Sequence, residues 1–268
     1  FYAENMRSAK NKILLTLGDE GEMDYAPTFS FQGFRYVRLD QCPEGMTAGD
    51  FTAVAVYSDI EQTGSFECGV PLVNQLYENI LWGQRSNFLD VPTDCPQRDE
   101  RLGWTGDTQI FSGAASYLAD IRGFMHKWLG DARDSQQGYD GAYCDVIPRV
   151  FTGNNGNAAW GDAGLVVPYR LWLMYGDTEI IRRHYDSMQY YMHYLEQYGL
   201  EGPNIAYGDW LNYDVTDKRY IAVCYYAYDA ALMEKFSLSQ RQAQAILDMR
   251  LQRPVSYTHL RAHETTLH

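Results

Sequence analysis

The period of the apolar residues changes at Pro71, and no single-layer fold accommodates both sides of that change. Before it, "FSFQGFRYVRLD" (29–40) alternates aromatic and polar side chains, the period-two pattern of a half-buried strand. "FTAVAVYSDI" (51–60) and "TGSFECG" (63–69) follow, set apart by Pro, Gly and Asp. Residues 1–70 are therefore expected to be the last part of a β-sandwich domain that begins upstream. After Pro71, "PLVNQLYENILWGQRSNFL" opens on a residue suited to the first turn of a helix and sets Leu72, Leu76 and Ile80 at helical spacing. Further helices are expected near 108–118, 123–134, 163–175, 179–198 and 220–236, with loops rich in Gly, Asn and Asp between them. The pattern predicts a mainly α chain: an incomplete α/α toroid with a cleft at one end, preceded by the β segment.

Charge narrows the partners. The 268 residues carry a formal net charge of −13, which disfavours nucleic acid and anionic membrane, since both need a basic surface. No apolar run approaches the roughly 20 residues of a membrane span. Aromatic residues make up 15% of the chain, with 22 Tyr, and such rings suit sugar-stacking clefts as well as cores. Cys42, Cys68, Cys95, Cys144 and Cys224 are scattered, without the spacing of a disulfide framework or a zinc site. They read as reduced thiols, which points to a cytoplasmic setting. No metal and no organic cofactor is expected. The oligomeric state is left open, a homo-oligomer included.

The last 33 residues differ. Four basic and two acidic residues in 236–268 reverse the charge balance of the rest. "FSLSQRQAQAILDMRLQR" (236–253) resembles a stretch of the DNA gyrase A subunit family, and "VSYTHLRAHET" (255–265) resembles a translated sequencing adapter. The tail is read as chimeric and set aside from fold reasoning. Taking it at face value, as part of a DNA-binding protein, conflicts with the acidic charge and the brevity of the match.

The densest chemistry lies in "DVPTDCPQRDERLGWTGDTQIF" (90–111). From Asp90 to Asp107 it holds five carboxylates, two arginines, one tryptophan and two glycines. Pro92 and Pro96 forbid a regular helix around Asp94, so Asp94, Asp99 and Glu100 sit on a loop. Asp107 belongs near the start of the following helix, where free N–H groups favour a carboxylate. Arg98 and Arg101 could simply neutralise these acids, but Trp104 suits a sugar site better than a surface turn. Two further loops repeat the pairing of aromatic and acid: "GNNGNAAWGDAG" (153–164) with Trp160 and Asp162, and "YGDWLN" (207–212) with Asp209 and Trp210. Each alone could be a helix cap beside a core tryptophan; three in one α/α chain point to a shared cleft.

These residues carry a resemblance. "NILWGQRSNFLDVPTDCPQRDERLGWTGD", "GNAAWGDAG" and "YGDWLN" are similar to the bacterial α-L-rhamnosidases of glycoside hydrolase family 78, over about 1–235. "GFRYV" and "SDIEQTGSFECG" match the β-domain that precedes the barrel in that family. The resemblance implies the N-terminal part of an (α/α)6 barrel over 71–235, release of terminal α-L-rhamnose with inversion, and a rhamnose-containing glycoside as partner. It implies Glu100 as general acid and Asp94, Arg98 and Asp107 as ligands to rhamnose hydroxyls or supports of Glu100. Trp104, Trp160 and Trp210 would line the pocket beside the C6 methyl; Asp162 and Asp209 would bind sugar or orient their loops. Asp99 is left structural. The family's general base, a later Glu, has no counterpart here, Glu264 of the tail being no candidate. The chain as it stands is therefore expected to be inactive or nearly so, with bare apolar helix faces. The rival readings are another α/α-toroid glycosidase and a non-catalytic carbohydrate-binding protein.

Overall fold

The computed structural model describes residues 4–18, 21, 23–150, 153, 155–197 and 205–250, the last stretch with side chains to residue 237. The adapter-like segment 255–265, with Glu264, lies outside the described residues. Six helices dominate: α1 Pro71–Asn87, α2 Thr105–Leu118, α3 Arg122–Ser135, α4 Ala163–Tyr175, α5 Thr178–Gln197 and α6 Lys218–Arg250. Between α1 and α2 a tight antiparallel hairpin pairs β1 Phe88–Leu89 with β2 Val91–Pro92.

Local chemistry sets the helix ends. Pro71 occupies the first turn of α1, where its missing N–H costs nothing. α4 stops at Gly176, whose left-handed backbone (φ 66°) lets its N–H reach the Trp172 carbonyl at 2.8 Å. On α5, Ile180, Ile181, His184, Met188, Tyr191 and Leu195 are buried along one stripe, the spacing a helix needs to face a core.

The packing order gives the architecture. α2 packs on α4 and α4 on α6, while α3 packs on α4 and on α5. Contact between every second helix is the mark of two concentric layers. α2, α4 and α6 form the inner layer; α3 and α5 lie outside. α4 confirms its inner place: residues 163–168 are all buried. This is a partial α/α toroid, as expected for the region after Pro71. The core joins Trp128 and Met125 of α3, Leu165 and Leu171 of α4, Met188 and Tyr191 of α5, and Leu232 and Phe236 of α6. Phe236 thus packs in the core just beyond the expected boundary at 235, and α6 continues unbroken through it.

Residues 1–70 differ from expectation. Among the described residues there, no strand ladder forms; two 3-10 turns (Glu4–Met6, Ala48–Asp50) and an isolated bridge from Gln62 to Ala119 are the regular features. The alternating aromatics of 29–40 lie exposed, Phe29, Phe34 and Tyr36 among them. The reason is physical: alternation buries one face only when a neighbouring strand and an opposing layer cover it. The segment instead runs along the helices, as where Thr63 N–H and Gly64 N–H both donate to the Leu118 carbonyl, at 3.1 and 3.0 Å. α1 is likewise bare over Leu72, Leu76, Ile80 and Trp82. No described helix is long and apolar enough to cross a membrane.

Trp128 is fully buried, and its Nε1 meets no hydrogen-bond acceptor among the described residues. Trp128→Ala is expected to cost about 3–5 kcal/mol of stability, measured by denaturant unfolding. Trp128→Phe should cost clearly less, because it keeps a ring and removes the orphaned donor.

Candidate active site

The two-layer arrangement brings the three aromatic–acid loops together. Each precedes an inner helix: 93–104 leads into α2, 136–162 into α4, and 205–217 into α6. All three inner helices therefore begin at the same rim.

The first loop closes on itself through Asp94. Its N–H donates to the Leu102 carbonyl at 3.0 Å and its Oδ1 accepts from Leu102 N–H at 2.9 Å. Arg98 Nη2 donates to Asp94 Oδ2 at 2.9 Å, and Arg98 Nε stands 3.0 Å from Glu100 Oε2. Arg7 Nη1 reaches the same Glu100 oxygen at 2.8 Å. Glu100 is 23% exposed, whereas the Asp94 side chain is 4% exposed. Asp99 turns to the Ser8 hydroxyl, which holds its carboxyl below the ordinary carboxylate range. The N-terminal segment thus props the acid loop, with Asn11 Nδ2 donating to the Gln97 carbonyl (2.9 Å) and Gly33 N–H to that of Pro96 (3.0 Å).

Asp107 stands in the first turn of α2, as expected. Its side chain stays open to solvent, yet crowding by its surroundings and the charges of Asp94 and Glu100 push its carboxyl upward. The solvent-open side argues for a modest effect.

Trp104 caps α2 and bridges to Val146 of the second loop. There Ile147 N–H donates to the Gly103 carbonyl at 2.8 Å, and Thr105 N–H to the Asp145 carbonyl at 2.9 Å. Gly103 has no room for a side chain, because a Cβ would run into the Ile147 carbonyl. Trp160 lies buried on the start of α2, where a Cβ on Gly106 would come within 2.7 Å of its ring.

The three tryptophans meet on one residue that sequence reasoning did not single out. Tyr207 contacts Trp104 edge-on at 5.9 Å between ring centroids, Trp160 at 4.3 Å, and Trp210 edge-on at 5.7 Å. Trp210 is exposed at 62%. Asp162 does not join this cluster as an open ligand, whereas Asp209 stays exposed. Asp162 is 2% exposed and accepts from Ala159 N–H (2.5 Å) and the Tyr191 hydroxyl (3.1 Å). Of the two roles expected for it, sugar contact and loop orientation, this burial and these bonds fit the second. Asp209 Oδ2 accepts from Asn212 Nδ2 (2.6 Å) and Thr216 Oγ1 (2.9 Å), so it folds its own loop.

Backbone strain sits beside the same residues. Arg101, Ala159 and Leu211 adopt φ of 51°, 72° and 61°, next to Glu100, Trp160 and Trp210. Each costs roughly 1–2 kcal/mol for a residue with a Cβ, a pattern found where surroundings over-determine a site.

Two buried acids below the cup also escaped the sequence reading. Asp145 is 1% exposed; Asn157 donates to its oxygens from N (3.2 Å) and Nδ2 (2.5 Å), and the Tyr207 hydroxyl stands nearby. Burial pushes its carboxyl up to about 7. Asp229 of α6 is wholly buried; burial and the charge of Asp162 raise its carboxyl well above the ordinary range. A visible signal existed for both: each is a lone acid inside an apolar stretch, "AYCDVI" and "YYAYDAALM".

Comparison with known proteins places the chain. Residues 61–250 match the model of the bacterial alpha-L-rhamnosidase 6 hairpin glycosidase domain, and residues 1–57 that of the bacterial alpha-L-rhamnosidase concanavalin-like domain. An alpha-L-rhamnosidase of Streptomyces avermitilis is 44% identical over 239 residues, 88% of this chain and 23% of that protein. One of Formosa agariphila is 34% identical over 260 residues, 91% of this chain and 28% of that protein. The chain thus spans about a quarter of the length of these relatives. The crystal structure of the Streptomyces avermitilis alpha-L-rhamnosidase complexed with L-rhamnose superposes with a TM-score of 0.66 at 42% identity, covering 73% of this chain and 20% of that one.

Asp145, Asp162 and Asp229 all have folded values raised above the unfolded ones. Their contribution is fully present below the unfolded carboxylate range and is lost as pH rises through the raised values. The unfolding midpoint should therefore fall between roughly pH 5 and 8, with a shallower fall in Asp145→Asn. A midpoint that climbs over that window would contradict the assignment.

Proposed function

The chain belongs to the bacterial alpha-L-rhamnosidase 6 hairpin glycosidase family, and from that premise we propose that its cup is the acid side of an inverting hydrolase acting on terminal α-L-rhamnose. The observation that carries this reading is the meeting of Trp104, Trp160 and Trp210 on Tyr207, beside the loop that holds Glu100 between two arginines. A 6-deoxy sugar presents an apolar methyl and C–H faces to such rings and hydroxyls to the carboxylates.

In the proposed mechanism Glu100 is the general acid. It gives its proton to the glycosidic oxygen as the bond to the anomeric carbon breaks. Both arginines meet Oε2, which leaves Oε1 to deliver the proton. Asp94 fixes Arg98 and the loop, so Glu100 cannot swing away. Asp94, Arg98 and Asp107 are the groups placed for sugar hydroxyls. Inversion further needs a carboxylate roughly 6.5–9.5 Å from the acid to activate water. The reading assigns that base to a barrel segment other than those described, so the chain by itself is proposed to bind L-rhamnose while turning over little.

In a chain extended to the full length of its relatives, Glu100→Gln should lower hydrolysis of an aryl α-L-rhamnoside by about 10²–10⁴-fold. L-Rhamnose binding, followed by tryptophan fluorescence, should persist. Faster cleavage of aryl glucosides than of the rhamnoside would instead assign a different sugar. An unchanged rate in Glu100→Gln would remove Glu100 from the chemistry.

A further inference from the structure

The aromatic wall of the cup needs something to hold it. Trp104, Trp160 and Trp210 come from three loops separated by tens of residues, and aromatic contacts alone tolerate sliding by an ångström or more. Beside the main-chain bond from Ile147 to Gly103, several hydrogen bonds that tie the loops together gather around one buried residue, Asp145. Asp145 takes two hydrogen bonds from Asn157 (3.2 Å from N, 2.5 Å from Nδ2), and its own backbone carbonyl takes two from Thr105, from N at 2.9 Å and Oγ1 at 3.0 Å. Asn157 then uses its remaining oxygen to accept from Ala206 N–H at 2.8 Å, next to Tyr207. The Tyr207 hydroxyl stands near the Asp145 carboxylate and favours its charged form. Asp145 is 1% exposed, so it touches no substrate.

We propose that Asp145 is a positioning residue: its carboxylate, with Asn157 and the Tyr207 hydroxyl, latches the third loop to the first two and so sets the spacing of the three tryptophans around a bound 6-deoxy sugar. This deepens the function proposed above and rests on it for the identity of the sugar. The latch itself follows from the side-chain chemistry. A carboxylate offers only acceptors; Asn157 N–H and Nδ2–H donate to it, and the Tyr207 hydroxyl is the nearby third donor. An amide at 145 replaces one acceptor with a donor, which either opposes the Asn157 amide or releases Tyr207. The position next to Tyr207 also makes the latch selective. Loss of its hydroxyl frees the ring that all three tryptophans touch, with the ring itself retained.

The test is a double-mutant cycle of Asp145→Asn and Tyr207→Phe in this chain, read by near-ultraviolet circular dichroism of the tryptophans and by L-rhamnose affinity from fluorescence titration. Each single variant is expected to reduce the tryptophan dichroic bands and weaken L-rhamnose binding about tenfold. The double variant should be no worse than the poorer single, because both remove the same bond. Additive losses, or a Tyr207→Phe protein with unchanged bands, overturn the latch. If Asp145→Asn fails to fold, judged by the far-ultraviolet spectrum, Tyr207→Phe and Asn157→Ala decide alone: unaltered tryptophan bands in both reject the proposal, and loss in both upholds it. If the unmodified chain binds no L-rhamnose, the sugar reading fails, while the dichroism cycle still judges the latch.

Discussion

The cup depends on a short backbone crossing between the loops that open α2 and α4. Ile147 N–H donates to the Gly103 carbonyl there, and Thr105 N–H to the Asp145 carbonyl. Main-chain bonds in a buried place are worth making because leaving them unmade is expensive. The crossing requires Gly103, whose bare backbone admits the Ile147 carbonyl. With the crossing in place, the Glu100 loop, the Trp160 loop and the carboxylate of Asp145 stand in fixed relation, and the third loop only has to dock onto them. A bulkier residue at 103 would separate acid from aromatics without touching either.

Electrostatics divides the acids into two tiers. The upper tier, Asp94, Asp99 and Glu100, is met by Arg7, Arg98 and Ser8. The lower tier, Asp145, Asp162 and Asp229, is buried among amides, phenols and one another, and none of the hydrogen bonds described for it comes from a cation. Burial of an unpaired carboxylate favours its neutral form, so the lower tier works through hydrogen bonds more than through charge.

Much of this was legible in the chain. The helices after Pro71 were readable because apolar spacing, a starting proline and a stopping glycine agree with one another, as at Pro71 and Gly176. Asp107 at a helix start and Asp94 on a loop followed from proline positions. What remained hidden depends on partners far along the chain. The alternation at 29–40 shows which face would be buried, but not whether a neighbour is there to bury it. Asp162 stands beside Trp160 in sequence, yet helix geometry turns the ring up and the carboxylate down toward Tyr191. Arg7 and Glu100 are 93 residues apart, and no local pattern joins them. Tyr207 was hidden differently: among 22 tyrosines, nothing in its own residue type sets it apart until the tryptophans are placed around it.

The contact between Arg7 and Glu100 bears on how such barrels can be rearranged. The proposed acid belongs to the helical part, but one of its two cationic neighbours belongs to the segment before it. The acid loop also leans on that segment through Asn11, Phe31 and Gly33. A helical unit carrying every residue of the "DCPQRDERLGW" stretch would still lack part of the setting that fixes its acid. The two parts are therefore not interchangeable modules: recombining the barrel with a foreign leading domain would alter the proton donor from behind, with no change in the motif itself.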